Sequence, residues 1–100
     1  MSADVDVITD RSVIESSVSA AWQIEGDAIV KVAQFADFAS ALAYINSVGA
    51  VAEELNHHPD IDLRYDTVTL RSSTHYLGGI TENDFALAGR IDQLDDVEAG

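Results

Sequence analysis

The sequence predicts an α+β fold: a four-stranded antiparallel sheet with helices packed on one face, in the order α-β-β-α-β-β-α. Three observations carry that prediction. Two pairs of short runs rich in Ile, Val and Thr are each joined by a tight turn, the pattern of hairpins. Three longer stretches repeat apolar residues at helical spacing. Gly26, Pro59 and the Gly78-Gly79 pair fall between these segments and punctuate them.

Taken in order, Asp10 offers an N-cap for a helix from about Arg11 to Ala20, with Val13, Ile14 and Val18 on one stripe. Trp22 to Glu25 reads as a short strand, Gly26-Asp27 as a turn, and Ala28 to Phe35 as the returning strand. Asp37 caps the longest helix, from about Phe38 to Asn56. Its Ala41, Ile45, Val48, Ala52 and Leu55 keep the i, i+3, i+4 rhythm. Pro59 sets the end of that helix, because the residue before a proline is pushed out of helical geometry. Ile61 to Tyr65 and Thr67 to Ser72 form a second hairpin that turns near Asp66. Within it Val68 and Leu70 alternate with Thr67, Thr69 and Arg71, giving one buried and one wet face. Gly78-Gly79 breaks the chain, and a last helix begins at Thr81, paired with Asp84 in the manner of a capping box. Tight hairpins pair antiparallel, and the helices must then cover one face of the sheet.

One hundred residues make a single domain, 1–100, whose ends 1–9 and 95–100 are expected to be poorly ordered. Apolar residues form 47 % of the chain, enough for a small core; domains of this size often bury more apolar surface by oligomerising. No apolar run approaches the ~20 residues of a membrane helix. The first ten residues carry three aspartates and no base, unlike a secretory leader, so a soluble cytoplasmic chain is expected. Cysteine is absent, which excludes disulfides, thiolate metal sites and thiol nucleophiles. The net charge of −13, from 18 acids and 5 bases, repels nucleic acid and anionic lipid, so neither is an expected partner. Lysine occurs once, at Lys31, a balance that suits high ionic strength, where repulsion is screened.

The histidines carry the chemistry. His57 and His58 are adjacent at the end of the long helix, and His75 follows the last strand. A helix C-terminus carries partial negative charge, which suits a cationic imidazole. Glu53 lies four residues before His57, so the two share a helical face on which the carboxylate orients the ring. All three histidines of the chain fall within nineteen residues. Other readings stand beside this one. The His-His pair can cap helix carbonyls, Glu53, Glu54 and Asp60 can be solvated charge, and Trp22, Phe35 and Phe38 can be core. Glu53, His57 and His75 can supply a zinc site with an open position, although the His-Glu-x-x-His spacing is missing. Ser72 and Ser73 lie near His75 without the glycine-flanked elbow of a nucleophile. No metal site is predicted.

The run Ala52-Glu53-Glu54-Leu55-Asn56-His57-His58-Pro59-Asp60 is followed by Tyr65, Val68-Thr69-Leu70, Ser73-Thr74-His75, Gly79-Ile80-Thr81, Asp84 and Leu87-Ala88. Upstream stand Trp22, Gly26, Ala28-Ile29, Phe35, Phe38 and Ala41. This pattern, from about Trp22 to Asp92, resembles the pterin-4a-carbinolamine dehydratase family. The Glu-x-x-x-His-His-Pro element with a Thr-His after the next hairpin is its most specific part. The resemblance implies a four-stranded antiparallel sheet with helices on one side. It implies a hydro-lyase that removes water from 4a-hydroxytetrahydrobiopterin to give the quinonoid dihydropterin, recycling tetrahydrobiopterin for aromatic amino acid hydroxylases with no cofactor of its own. His57 and His75 would act as acid and base, and His58 would bind and polarise the pterin. Glu53 would orient the site, Asn56, Ser73, Thr74 and Tyr76 would line it, and Asp84 would complete its polar wall. A homodimer or homotetramer is implied, with a non-catalytic interaction or assembly protein of the same fold as the alternative. The chain departs from the family at Ile61, Tyr76 and Asn83, where a tryptophan, an acid and an arginine are common. These positions bear on pterin stacking and specificity and leave the three histidines untouched.

Overall fold

The computed structural model describes residues 5–99. Its elements run α1 (Arg11–Ser17), β1 (Gln23–Glu25), β2 (Ala28–Gln34), α2 (Phe38–Leu55), β3 (Asp60–Arg64), β4 (Thr67–Ser72) and α3 (Glu82–Ala99), with a 3-10 turn (His75–Leu77) before the last helix. The strands form one antiparallel sheet in the order β1-β2-β4-β3. Each hairpin supplies one outer and one inner strand, and the two inner strands meet.

Register decides which side chains face the helices. Ile29 lies opposite Ser72, Lys31 opposite Leu70, and Ala33 opposite Val68, which in turn faces Leu63 on β3. Because side chains alternate along a strand, these residues share one face. Tyr44, Val48, Val51 and Ala52 of α2 and Leu87, Ala88 and Ile91 of α3 pack there with Ile29, Val68 and Leu70 in one buried cluster. Val32, on the opposite face, is 62 % exposed. Each Ile or Leu buried in this way contributes roughly 1.5–3 kcal/mol.

The same alternation turns Lys31 toward the helices, where it is buried. Its Nζ lies 3.3 Å from Asp92 Oδ1, which also accepts the Trp22 indole N–H at 3.0 Å. One carboxylate on α3 thus ties that helix to β2 and to the approach to β1. Among the described residues, no helix is long and apolar enough to cross a membrane.

Boundaries depart from the sequence expectation where local hydrogen bonds compete with periodicity. The first helix stops at Ser17 rather than Ala20. The Ser16 and Ser17 hydroxyls donate back to the Val13 carbonyl at 3.0 and 2.7 Å, a bonding mode that suits serine to helix ends. The long helix ends at Leu55 because Asn56 adopts the left-handed conformation (φ 52°, ψ 43°), several residues before Pro59 can act. Ile8 donates its N–H to the Ile80 carbonyl at 2.8 Å, tying down part of the 1–9 segment. The backbone of α3 stays helical through Ala99, since an established helix extends at the cost of one residue per added hydrogen bond. Residues 1–4 and 100 lie outside the described residues.

The N-caps of α1 and α2 are titratable. Asp37 accepts the Ser40 backbone N–H at 2.8 Å and the Ser40 hydroxyl besides, which holds its carboxyl below the usual range. Asp10 is lowered likewise by the Ser12 hydroxyl at 2.7 Å and the Ser12 N–H at 3.0 Å. A carboxyl depressed by folding stabilises the native state above its unfolded value, and that contribution is lost as pH falls through the folded one. Asparagine still accepts a capping bond but cannot titrate. Denaturant melts of Asp37→Asn should therefore lose less stability than the parent below about pH 4; parallel acid limbs would contradict this.

Candidate active site

The exit from α2 determines where the histidines point. His57 donates its N–H to the Ala52 carbonyl at 3.0 Å and Asn56 to Glu53 at 3.2 Å, a Schellman closure around the left-handed Asn56. Asparagine visits that conformation more readily than other non-glycine residues. The closure takes His57 and His58 off the helical repeat, and their side chains diverge. His57 turns inward, its side chain 14 % exposed, with Nε2 2.6 Å from Asp84 Oδ1. His58 turns outward, 54 % exposed, with Nε2 2.5 Å from Glu53 Oε2. The i, i+4 spacing predicted Glu53 beside His57. The structure pairs it with His58, because the helix ends before that spacing applies.

Asp84 has no exposed surface. A carboxylate withdrawn from water is costly unless its lone pairs are filled. Here Oδ1 is hydrogen-bonded to His57 Nε2 at 2.6 Å and accepts the Ser72 hydroxyl at 2.5 Å. Oδ2 accepts the Thr74 hydroxyl at 3.0 Å and the Thr81 backbone N–H at 2.9 Å. The last is half of the predicted capping box, and the Thr81 hydroxyl completes it by accepting the Asn83 N–H at 3.1 Å. Asp84 therefore stands behind His57 rather than in the polar wall where it was expected.

His75 is carried by a closed loop. The Thr74 N–H reaches the Gly79 carbonyl at 2.7 Å, and Leu77 and Gly78 donate back to the Thr74 carbonyl at 3.0 and 2.9 Å. Gly78 closes the 3-10 turn at φ 73°, a conformation that favours glycine. At Gly79 any Cβ would come within 2.5 Å of Val7 Cγ1, so the N-terminal segment can lie on the loop only because that side chain is absent. His75, Tyr76 and Leu77 are left exposed at the tip.

Between the α2 exit and this loop opens a cavity of about 400 Å³, lined by Asn56, His57, His58, Ser73, Thr74, His75 and Tyr76. Its size lies within the range of small-molecule sites. All three histidines reach it, with Glu53 and Asp84 behind two of them. A second cleft of about 260 Å³, under Val7, Ile8 and Ile80, has only Arg11 and Asp27 as charged lining and no histidine. The alternative zinc set is not assembled: Glu53 faces His58, and among the described residues no three His, Asp or Glu side chains gather as metal ligands. Ser72 bonds Asp84 and does not line the cavity, so its position is not that of a nucleophile. Ser72 and Thr81 were not foreseen as site residues. For Ser72 the signal was present, since the Val68, Leu70 alternation places it on the buried face, where a hydroxyl needs a partner.

Residues 7–94 match the family model described as pterin 4 alpha carbinolamine dehydratase. Proteins provisionally named pterin-4-alpha-carbinolamine dehydratases are similar along most of the chain. That of Chloroflexus aurantiacus is 47 % identical over 73 residues, 73 % of this chain and 78 % of the relative. That of Thermomicrobium roseum is 48 % identical over 73 residues, with the same shares. A crystal structure of a transcriptional coactivator/pterin dehydratase from Brucella melitensis superposes with a TM-score of 0.78 at 28 % identity, covering 95 % of this chain and 100 % of that one. A pterin dehydratase-like protein described as a RuBisCO assembly factor in the alpha-carboxysome superposes at 0.59 and 27 % identity, covering 73 % and 84 %.

The pairing of carboxylates with imidazoles has a direct consequence. Glu53→Gln should shift the ring resonances of His58 in histidine-resolved NMR and leave those of His57 in place. A shift confined to His57 would restore the pairing expected from spacing.

Proposed function

The chain belongs to the pterin 4 alpha carbinolamine dehydratase family, and we propose that it dehydrates 4a-hydroxytetrahydrobiopterin to the quinonoid dihydropterin. The observation that carries this reading is the convergence of three imidazoles on one cavity, two of them held by carboxylates behind. The reaction breaks the C4a–O bond and forms a C4a–N5 double bond. One proton goes to the departing hydroxyl, which leaves as water, and one leaves N5, so the balance closes without an oxidant or reductant. An acid and a base that both exchange protons near neutrality suffice, and histidine is the side chain suited to both tasks.

The roles are those the family resemblance implies, and the positions of the side chains support them. His57, inward and held by Asp84, and His75, on the loop opposite, share the acid and base steps. His58, more exposed, binds and polarises the pterin, with Glu53 fixing its ring. Asn56, Ser73, Thr74 and Tyr76 line the remainder of the cavity. The assembly factor among the structural neighbours supports a second reading, binding of a protein partner without catalysis. Presence of all three imidazoles favours the enzyme.

Steady-state dehydration of a 4a-carbinolamine decides between them. His57→Ala and His75→Ala should each lower kcat by about 10²–10⁴-fold, the usual worth of a positioned acid or base. His58→Ala should chiefly raise KM, with unchanged circular dichroism in every case. Activity surviving in the His57→Ala/His75→Ala double variant would defeat the mechanism. A stoichiometric protein partner together with an inactive parent would favour the second reading.

A further inference from the structure

We propose that Asp84 is one positioning residue shared by both reacting imidazoles, and that it leaves Nδ1 of His57 as the atom that exchanges a proton with substrate; the catalytic part of this rests on the dehydratase reading. Asp84 does not line the cavity and touches nothing that enters it. Its two oxygens divide their work. Oδ1 faces His57 Nε2 at 2.6 Å. An ionised carboxylate only accepts, so Nε2 must carry the proton, and the neutral ring then presents its lone pair at Nδ1. With Nε2 engaged, Nδ1 is the nitrogen left for the cavity, a base before the step and an acid after it.

Oδ2 acts on the other histidine at one remove. It accepts the hydroxyl of Thr74, the residue immediately before His75. Thr74 is buried, and it anchors the whole loop: its N–H reaches Gly79, its carbonyl accepts from Leu77 and Gly78, and its hydroxyl also meets Thr81 Oγ1 at 2.7 Å. Moving Oδ2 therefore moves the base of the His75 loop. The Thr81 N–H and the Ser72 hydroxyl hold the carboxylate itself, so α3 and β4 set its position while α2 and the loop read it. A plain helix cap needs only the Thr81 bond. The three further donors, two of them leading to the histidines of the cavity, are what this arrangement adds.

The tests separate positioning from substrate identity. In the parent protein, long-range ¹H–¹⁵N spectra of the imidazoles should show His57 as the Nε2–H tautomer; a neutral Nδ1–H ring there would overturn the proposal whatever the enzyme acts on. Asp84→Asn turns a donor toward a site that holds only donors. It should mix the His57 tautomers and lower kcat about 100-fold or more, with KM within about twofold, as a mis-set tautomer does elsewhere. Thr74→Val should shift His75 and not His57, and kcat should fall by about tenfold. Combined with Asp84→Asn it should cost little more than Asp84→Asn alone, because both act through one carboxylate. A folded Asp84→Asn protein with the parent's tautomer and kcat would reduce Asp84 to a cap. If Asp84→Asn does not fold, the parent tautomer and the Thr74→Val shifts decide. A parent that keeps the Nε2–H tautomer yet dehydrates no pterin would remove the substrate assignment and leave the positioning intact.

Discussion

The carboxylate of Asp84 must find four donors in a place without water, and the site is arranged around meeting that demand. Each donor arrives from a different part of the chain: Ser72 from the end of β4, Thr74 from the loop, Thr81 from the cap of α3, and His57 from the exit of α2. An unpartnered buried carboxylate costs several kcal/mol or forces protonation. The four segments are therefore constrained together by one group, as well as by the packing of the core. The histidines inherit that constraint. His57 is fixed directly, and His75 is fixed through the residue before it, while His58 is governed by the more exposed Glu53.

The wider charge distribution shows how unusual that internal economy is for this chain. All five bases face carboxylates: Arg11 with Glu15, Arg64 with Asp62, Arg71 with Asp27 and Glu25, Arg90 with Glu54, and Lys31 with Asp92. The arginine pairs are exposed and contribute little each. With a net charge of −13, much acidic charge on the chain is not offset by any base. That field disfavours anionic macromolecules, and within it Asp84, without exposed surface, and Asp92, half-buried, each gather more than one donor.

Much of this was legible in the sequence, for physical reasons. Hairpin turns at Gly26-Asp27 and near Asp66, helical periodicity from Phe38, and the Thr81–Asp84 box each follow from local chemistry, whereas the joining of the two hairpins through β2 and β4 is long-range and came from the fold. The cavity's residues were legible through the cluster of histidines and the family resemblance. What escaped depended on geometry that spacing does not encode. Asn56 ends α2 early by entering the left-handed region, and that exchange of partners sends Glu53 to His58. Asp84 was legible as the capping partner of Thr81 and, through the resemblance, as part of a polar wall, but its burial behind His57 depends on β4 and the α2 exit closing over it. Ser72 was half visible, since strand alternation buried it, but its partner lies twelve residues on in another element.

On the proposed reading, a bicyclic ring is handled between two imidazoles set by one carboxylate. A crystal structure of the protein with an oxidised pterin bound tests it most directly. The ring is expected between His57 and His75, with His57 Nδ1 within hydrogen-bond distance of it and Nε2 still on Asp84. A pterin seated elsewhere, such as the cleft under Val7 and Ile80, or a His57 ring turned so that Nδ1 meets Asp84, would contradict it.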